Sequence, residues 1–201
     1  MAGADWSLEA LRRCRRAAPA APVAVMDLGA LGIRAGAVDT YLSLGVVEHD
    51  PAGPGRILDE ARRALAPGGR LLLSVPYLNG VRRLFRPWLA RRQARVRQAG
   101  GEFYQYAFTR AELRGLLDSR GFLTLSLTPY DPARLLRKAW ERFRRRRPER
   151  DDSRAGERAG AGSASGDSGR SSASRLARAI LYTEPALRLL GHMILAVAVK
   201  R

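Results

Sequence analysis

The stretch Val38-Asp-Thr-Tyr-Leu-Ser43-Leu-Gly-Val-Val-Glu48-His49, with the helix-patterned segment after it and then Leu65-Ala-Pro-Gly-Gly69-Arg-Leu-Leu-Leu-Ser-Val75-Pro76, decides the fold class. Val38 to Leu44 reads as a strand, being rich in residues that fit a pleated surface. Between residues 55 and 65, Ile57, Leu58, Ala61 and Leu65 recur at helical spacing and form one apolar face. Ala66-Pro67-Gly68-Gly69 reads as a helix stop and tight turn. Residues 70–75 are continuously apolar in character, as in a strand covered on both faces. Strand, helix and strand in succession are the unit of an α/β sheet.

The pattern extends outward in both directions. Residues 7–16 read as a short helix with Ser7 at the N-cap and Glu9 in the first turn; Leu8, Leu11 and Cys14 share a face expected in the core. Pro19 and Pro22 end it, and residues 23–26 form a compact apolar strand before a loop holding Gly29, Gly32 and Gly36. Downstream, Thr109 and Glu112 form a capping box for a helix with Leu113, Leu116 and Leu117 inward, and Gly121 closes it before a strand at residues 122–128. Residues 148–174 are Ser, Gly, Arg and Asp with almost nothing apolar, which predicts disorder. A helical pattern over residues 176–190, broken at Pro185, precedes a last strand at residues 192–199, with His192 and Met193 expected in the core. The expected division is therefore a core at 1–130, a basic helical extension at 131–147, a disordered insert at 148–174, and a closing helix and strand at 175–201.

The 201 residues include 36 Lys+Arg and 19 Asp+Glu, a net charge of +17. Of the basic residues 34 are Arg, a bias that GC-rich coding produces as readily as selection for phosphate binding. Residues 79–101 hold seven Arg and no acid, and residues 131–178 hold 14 basic and 7 acidic residues, so the remainder is nearly neutral at +3. No apolar run approaches the roughly 18 residues that span a bilayer, and the first residues lack the pattern of a signal peptide, so a cytoplasmic protein is expected. The single Cys14 excludes an intrachain disulfide and a multi-cysteine zinc site, and no metal site is expected.

Taken in order, these motifs resemble the class I S-adenosylmethionine-dependent methyltransferases of the small-molecule branch. The resemblance rests on Asp39-x-x-x-Ser43-x-x-Val46-x-Glu48-His49, on Arg63-x-Leu65-x-Pro67-Gly68-Gly69, on residues 103–109 with Glu112-Leu113 and Gly121-Phe122, and on residues 192–200. Upstream, Gly3-Ala-Asp5-Trp-Ser7 resembles the end of the family's second strand, and Val25-Met-Asp27-Leu the end of its third. It implies an α/β, Rossmann-like methyltransferase sheet with helices on both faces, N-terminally truncated, with a closing antiparallel strand hairpin. It also implies methyl transfer from S-adenosylmethionine to a small-molecule acceptor.

By the same resemblance, Asp5 bonds the ribose hydroxyls, Trp6 flanks the adenine, Asp27 accepts from the adenine amino group beside the Leu28 backbone, and Ser43, Leu44 and Gly45 end the strand facing the methionine part. Tyr77, Asn79, Tyr104 and Tyr106 are the candidates for the acceptor site. Glu48 and His49 are candidate acid/base residues, although in the family such a pair is mainly structural, and methyl transfer from a sulfonium needs alignment more than a base.

The family's first strand and its Asp/Glu-x-Gly-x-Gly-x-Gly loop are missing, and Gly29, Gly32 and Gly36 have the wrong spacing to replace them. In the family's strand order, 3-2-1-4-5-7-6, that absence falls in the middle of the sheet. Three arrangements answer it: a start that truncates the chain, a relative that closes the gap by pairing the third strand directly with the fourth, or a partner that donates the missing part. The basic stretch at 79–101 reads as a solvated flap, as a membrane-surface helix with Phe85, Trp88 and Leu89 on its apolar side, or as a nucleic-acid contact. No aromatic-interleaved RNA platform or helix-turn-helix spacing accompanies it, so nucleic acid is not the expected partner. The alternative to an enzyme is a non-catalytic basic protein that binds nucleic acid or an anionic membrane through residues 79–101 and 134–147.

Overall fold

The computed structural model describes residues 1–84, 105–132 and 179–201. Most of the predicted extension at 131–147, the insert at 148–174, most of the basic stretch at 79–101, and Tyr104 lie outside the described residues. Among the described residues, six strands form two sheets. β1 (Gly3–Asp5) and β2 (Val23–Val25) pair in parallel, with α1 (Leu8–Ala17) between them in the chain. β3 (Val38–Leu44), β4 (Leu65–Pro76), β5 (Phe122–Tyr130) and β6 (Met193–Lys200) form the larger sheet in the order β3-β4-β6-β5. β3 runs parallel to β4, and β6 is antiparallel to both its neighbours.

The larger sheet is covered on one face by α2 (Gly55–Ala64) and α4 (Arg110–Asp118); the short α3 (Gly80–Leu84) lies between them in sequence. Ile57 and Leu58 of α2 and Leu113 and Leu117 of α4 pack in one cluster with Leu71, Leu73 and Val75 of β4, Ile194, Ala196 and Ala198 of β6, and Phe122 of β5. Alternate residues of each strand supply that layer, as the two-residue period of a strand requires. On the opposite face the register sets Leu42 beside Leu72 and Leu72 beside Val197, and Leu42, Leu44, Leu123 and Leu125 are exposed.

Local chemistry fixes the element ends. Ser7 caps α1 by accepting from the Ala10 N–H, and Thr109 with Glu112 forms both bonds of the capping box of α4. Gly121 has φ of 73°, the left-handed geometry that releases the chain from α4 into β5. α5 (Glu184–Leu190) carries Pro185 in its first turn, so the proline opens this helix where the sequence pattern predicted a break.

Two expectations are corrected, and one of the three arrangements for the missing strand is set aside. Residues 66–69 stop α2 as expected, but they lie inside β4: Val38 pairs with Leu65 and Thr40 with Arg70, and Gly68 at φ 73° absorbs the irregularity. Cys14 is exposed, because the sheet under α1 has only two three-residue strands and covers Leu11 alone of the predicted face. The gap between the family's third and fourth strands is not closed by direct pairing: β2 pairs with β1, β3 pairs with β4, and the two sheets are separate.

Candidate functional site

Between the two sheets lies a cavity of about 650 Å³. One wall is Met1, Ala2 and Ala4 at β1; the other is residues 38–43 of β3 and Val46; Leu28, Leu31, Ile33 and Ala37 of the β2–β3 loop close it. Two groups on α2 hold that loop. Glu60 accepts the Leu31 N–H at 2.6 Å, and Arg63 bonds Glu60 at 2.7 Å while donating to the carbonyls of Leu31 and Ile33 at 3.1 and 2.6 Å. The Arg63 guanidinium holds the Glu60 carboxyl below the usual range, so the clamp stays charged at neutral pH. In the sequence, a Glu and an Arg three residues apart on the polar face of α2 were the one signal of this clamp.

Of the residues expected to bind a cofactor, Leu28 and Ser43 line the cavity, and Asp5 and Gly45 each adjoin a lining residue. Ser43 is 5% exposed and its Oγ has no hydrogen-bond partner among the described residues. A buried hydroxyl without a partner costs stability. Asp5 Oδ1 accepts the Ser7 N–H at 2.7 Å, and no second hydrogen bond engages this carboxylate among the described residues. Trp6 is 78% exposed at the end of β1, and Leu44 is exposed on the open sheet face. Asp27 is committed elsewhere: Oδ1 accepts from the Gly29 N–H at 2.9 Å and Oδ2 from Arg56 Nη1 at 2.7 Å. Arg56 also lies 3.9 Å from Asp50, and a Cβ on Gly29 would collide with its guanidinium.

At the end of β3 the chain turns through Gly45, φ 73°, whose N–H donates to the Ser74 carbonyl at 3.0 Å. The 3-10 turn Val47–His49 follows and buries Glu48 to 2% exposure. Glu48 Oε2 has no hydrogen-bond partner among the described residues, and burial pushes its carboxyl above the usual carboxylate range. His49 Nε2 is 4.0 Å from Glu48 Oε1 and its side chain is half exposed. Tyr106 is clamped on the same turn: its N–H donates to the Glu48 carbonyl at 2.9 Å and its hydroxyl to the Pro51 carbonyl at 3.0 Å. Glu48, His49 and Tyr106 thus meet at one turn.

Tyr77 and Asn79 are placed differently from the acceptor-site expectation. Tyr77 is 7% exposed in the core, bridged to Phe108. Asn79 is fully buried; its Nδ2 donates to the Gly191 carbonyl and its Oδ1 accepts the Arg82 N–H, both at 2.8 Å. With both ends of its amide engaged, Asn79 ties the end of β4 to the turn before β6.

A methyltransferase-domain family model matches residues 1–73. An uncharacterized 37.1 kDa protein of a Streptomyces fradiae transposon is 38% identical over 77 residues, a match covering 37% of this chain and 22% of that protein's length. Among solved structures, an S-adenosylmethionine-dependent methyltransferase from Methanosarcina mazei superposes with a TM-score of 0.60 at 18% identity, covering 99% of this chain and 81% of the other. One from Mesorhizobium loti gives 0.54 at 16% identity over 98% and 79% of the chains. The [4+2]-cyclase SpnF gives 0.53 at 15% identity over 98% and 73%. The chain has the class I S-adenosylmethionine-dependent methyltransferase fold.

Proposed function

We propose that the protein transfers a methyl group from S-adenosylmethionine to a small-molecule acceptor. The observation that carries this reading is the buried, unpartnered Ser43 hydroxyl in a cavity of ligand size between the two sheets of a methyltransferase fold. The residues present fit a nucleoside-sized, mixed polar and apolar group. Asp5 has a carboxylate oxygen to offer, Ser43 a hydroxyl, Leu28 an apolar surface, and Gly45 a backbone without a Cβ at the turn. When bound, S-adenosylmethionine supplies a methyl carbon activated by its sulfonium sulfur.

The chain's own residues bind and orient. Trp6 presents an exposed ring where it can swing over a flat base. Glu48 carries a raised carboxyl pKa beside Gly45, and in protonated form it serves as a neutral hydrogen-bond donor at the end of β3. Tyr106 holds the 47–51 turn in place from the side of the acceptor. Asp27 reaches a ligand only if Arg56 releases it.

Calorimetric titration with S-adenosylmethionine and S-adenosylhomocysteine tests the reading. Saturable micromolar binding, weakened by Ser43→Ala, is the expected result. Absence of binding by the wild type would leave the fold in place and remove the activity, since the same fold superposes on a [4+2]-cyclase.

A further inference from the structure

Exposed apolar side chains gather beyond the carboxyl end of β4. Val81 and Leu84 of α3, Leu189 of α5, and Ile180 and Tyr182 just ahead of α5 are all exposed, Leu84 to 78%. The two helices pack on each other. A Cβ on Gly80 would stand 2.9 Å from Leu189 Cδ1, so the glycine lets α5 close on the first turn of α3. Leu84 follows Gly80 by four residues and extends the face of α3 that meets Leu189. This platform is anchored to the sheet, because Asn79, the residue before α3, bonds the Gly191 carbonyl directly after α5. Single apolar residues are ordinary on a protein surface, whereas a cluster marks an interaction site.

The charge around the cluster has one sign. α3 contributes Arg82 and Arg83, and α5 contributes Arg188. Glu184 is the sole acid in residues 77–84 and 179–190, and Arg188 at 2.7 Å and Arg110 at 3.8 Å neutralise it. The sequence carries the same sign outward from both helices: residues 85–101 hold five Arg and residues 168–178 three, with no acid in either. Apolar side chains among arginines suit the surface of an anionic bilayer, where carbon chains enter the headgroup region and guanidinium groups meet lipid phosphates. Tyr182 fits the same boundary, its ring having an apolar body and a polar tip. A nucleic acid would engage the arginines and leave Leu84 and Ile180 in water. No helix among the described residues is long and apolar enough to cross a membrane, so the contact is a surface one.

We propose that the α3–α5 platform docks on a membrane surface rich in anionic lipid, seating Leu84 and Ile180 among the headgroups. The proposal is independent of the methyltransferase reading.

The full chain is floated with phosphatidylcholine vesicles that contain either about 30 mol% phosphatidylglycerol or none. The expected result is at least about tenfold tighter binding to the anionic vesicles, weakening as sodium chloride rises from about 0.1 M to about 0.5 M. Leu84→Ser with Ile180→Ser should lower that affinity about tenfold, through lost apolar burial. Leu42→Ser with Leu44→Ser, on the open face of the larger sheet, should leave it within about twofold. All four side chains are exposed, so both double variants should keep the circular dichroism and Tm of the wild type. Should the first double variant unfold, Leu84→Ser alone reads the same loss at about threefold. Absent binding to anionic vesicles overturns the proposal, as does binding that the α3–α5 substitutions leave unchanged or that both double variants lose alike. A DNA duplex bound more tightly than the anionic vesicles overturns it too. So does a dimer in sedimentation that Leu84→Ser with Ile180→Ser dissolves, since a second copy then covers the platform.

Discussion

Asn79→Ala separates a structural residue from a substrate-binding one. Asn79 is completely buried, and its amide spans from the end of β4 to the turn before β6, bonding the Gly191 carbonyl and the Arg82 N–H. Truncation leaves the buried Gly191 oxygen without this donor, a loss of about 1–3 kcal/mol, and the partly exposed Arg82 N–H without its acceptor, about 0.5–1.5 kcal/mol more. The expected destabilisation is therefore about 2–4 kcal/mol, or about 5–12 °C in Tm for a chain of this size. Urea and thermal unfolding followed by circular dichroism read it.

Asn79→Asp sharpens the test. At neutral pH a buried carboxylate faces the Gly191 carbonyl oxygen and cannot donate to it, costing about 3–5 kcal/mol. The introduced carboxyl has its folded pKa raised, so this variant's stability is fullest in acid and falls as pH rises through that pKa. S-adenosylhomocysteine affinity, measured well below each variant's Tm, should stay within about twofold of wild type, a change under about 0.5 kcal/mol. If Asn79→Ala unfolds like the wild type, or if it loses ligand affinity at unchanged stability, the buried-tie account is wrong and the residue belongs to the acceptor site.

The remaining expectations concern the candidate site. Ser43→Ala removes a buried hydroxyl without a partner, so it should raise stability by about 0.5–1 kcal/mol while weakening S-adenosylhomocysteine binding; a loss of stability would mean the hydroxyl is already satisfied. Glu48 has a raised folded pKa, so its contribution is fully present below the unfolded carboxylate pKa and lost as pH rises through the folded value. Glu48→Gln should therefore unfold with less pH dependence from pH 5 upward than the wild type, and identical profiles would refute the burial argument. Glu60→Ala removes the acceptor of the Leu31 N–H and should cost about 1–3 kcal/mol, with faster hydrogen exchange in the loop at residues 28–37. Arg56→Ala frees Asp27 Oδ2, while Asp27 Oδ1 keeps the Gly29 N–H; Tm should change little, as for an exposed pair, and adenosyl-ligand affinity should rise.

Much of the fold was legible because local signals agreed with tertiary ones. β3 runs over the predicted residues, the Thr109–Glu112 box forms both its bonds, and the Ile57, Leu58 and Ala61 face is the buried one. Pro67-Gly68-Gly69 misled because a turn signal records backbone freedom, and a strand with an irregular register uses the same freedom. Cys14 misled because helical periodicity reports an apolar face without reporting how wide a sheet lies beneath it. Of the candidate residues, Ser43 and Leu28, which the family resemblance singled out, line the cavity between the sheets. The locking of Asp27 by Arg56 was not legible, because the two are 29 residues apart and only the packing of α2 brings them together. Asn79 carried no local signature of its tie to Gly191, a partner 112 residues away.

The position of β6 has a consequence for synthesis. β6 follows β4 and β5 in the chain yet lies between them, and Lys200 reaches back to the Leu65 carbonyl at 2.6 Å. Until β6 leaves the ribosome, β4 and β5 have no strand through which to form one sheet, and their inner edges stay open to other nascent chains. A chain that stops short of β6 lacks Ile194, Ala196 and Ala198 from the core and leaves β5 detached, so such copies should be cleared as unfolded protein.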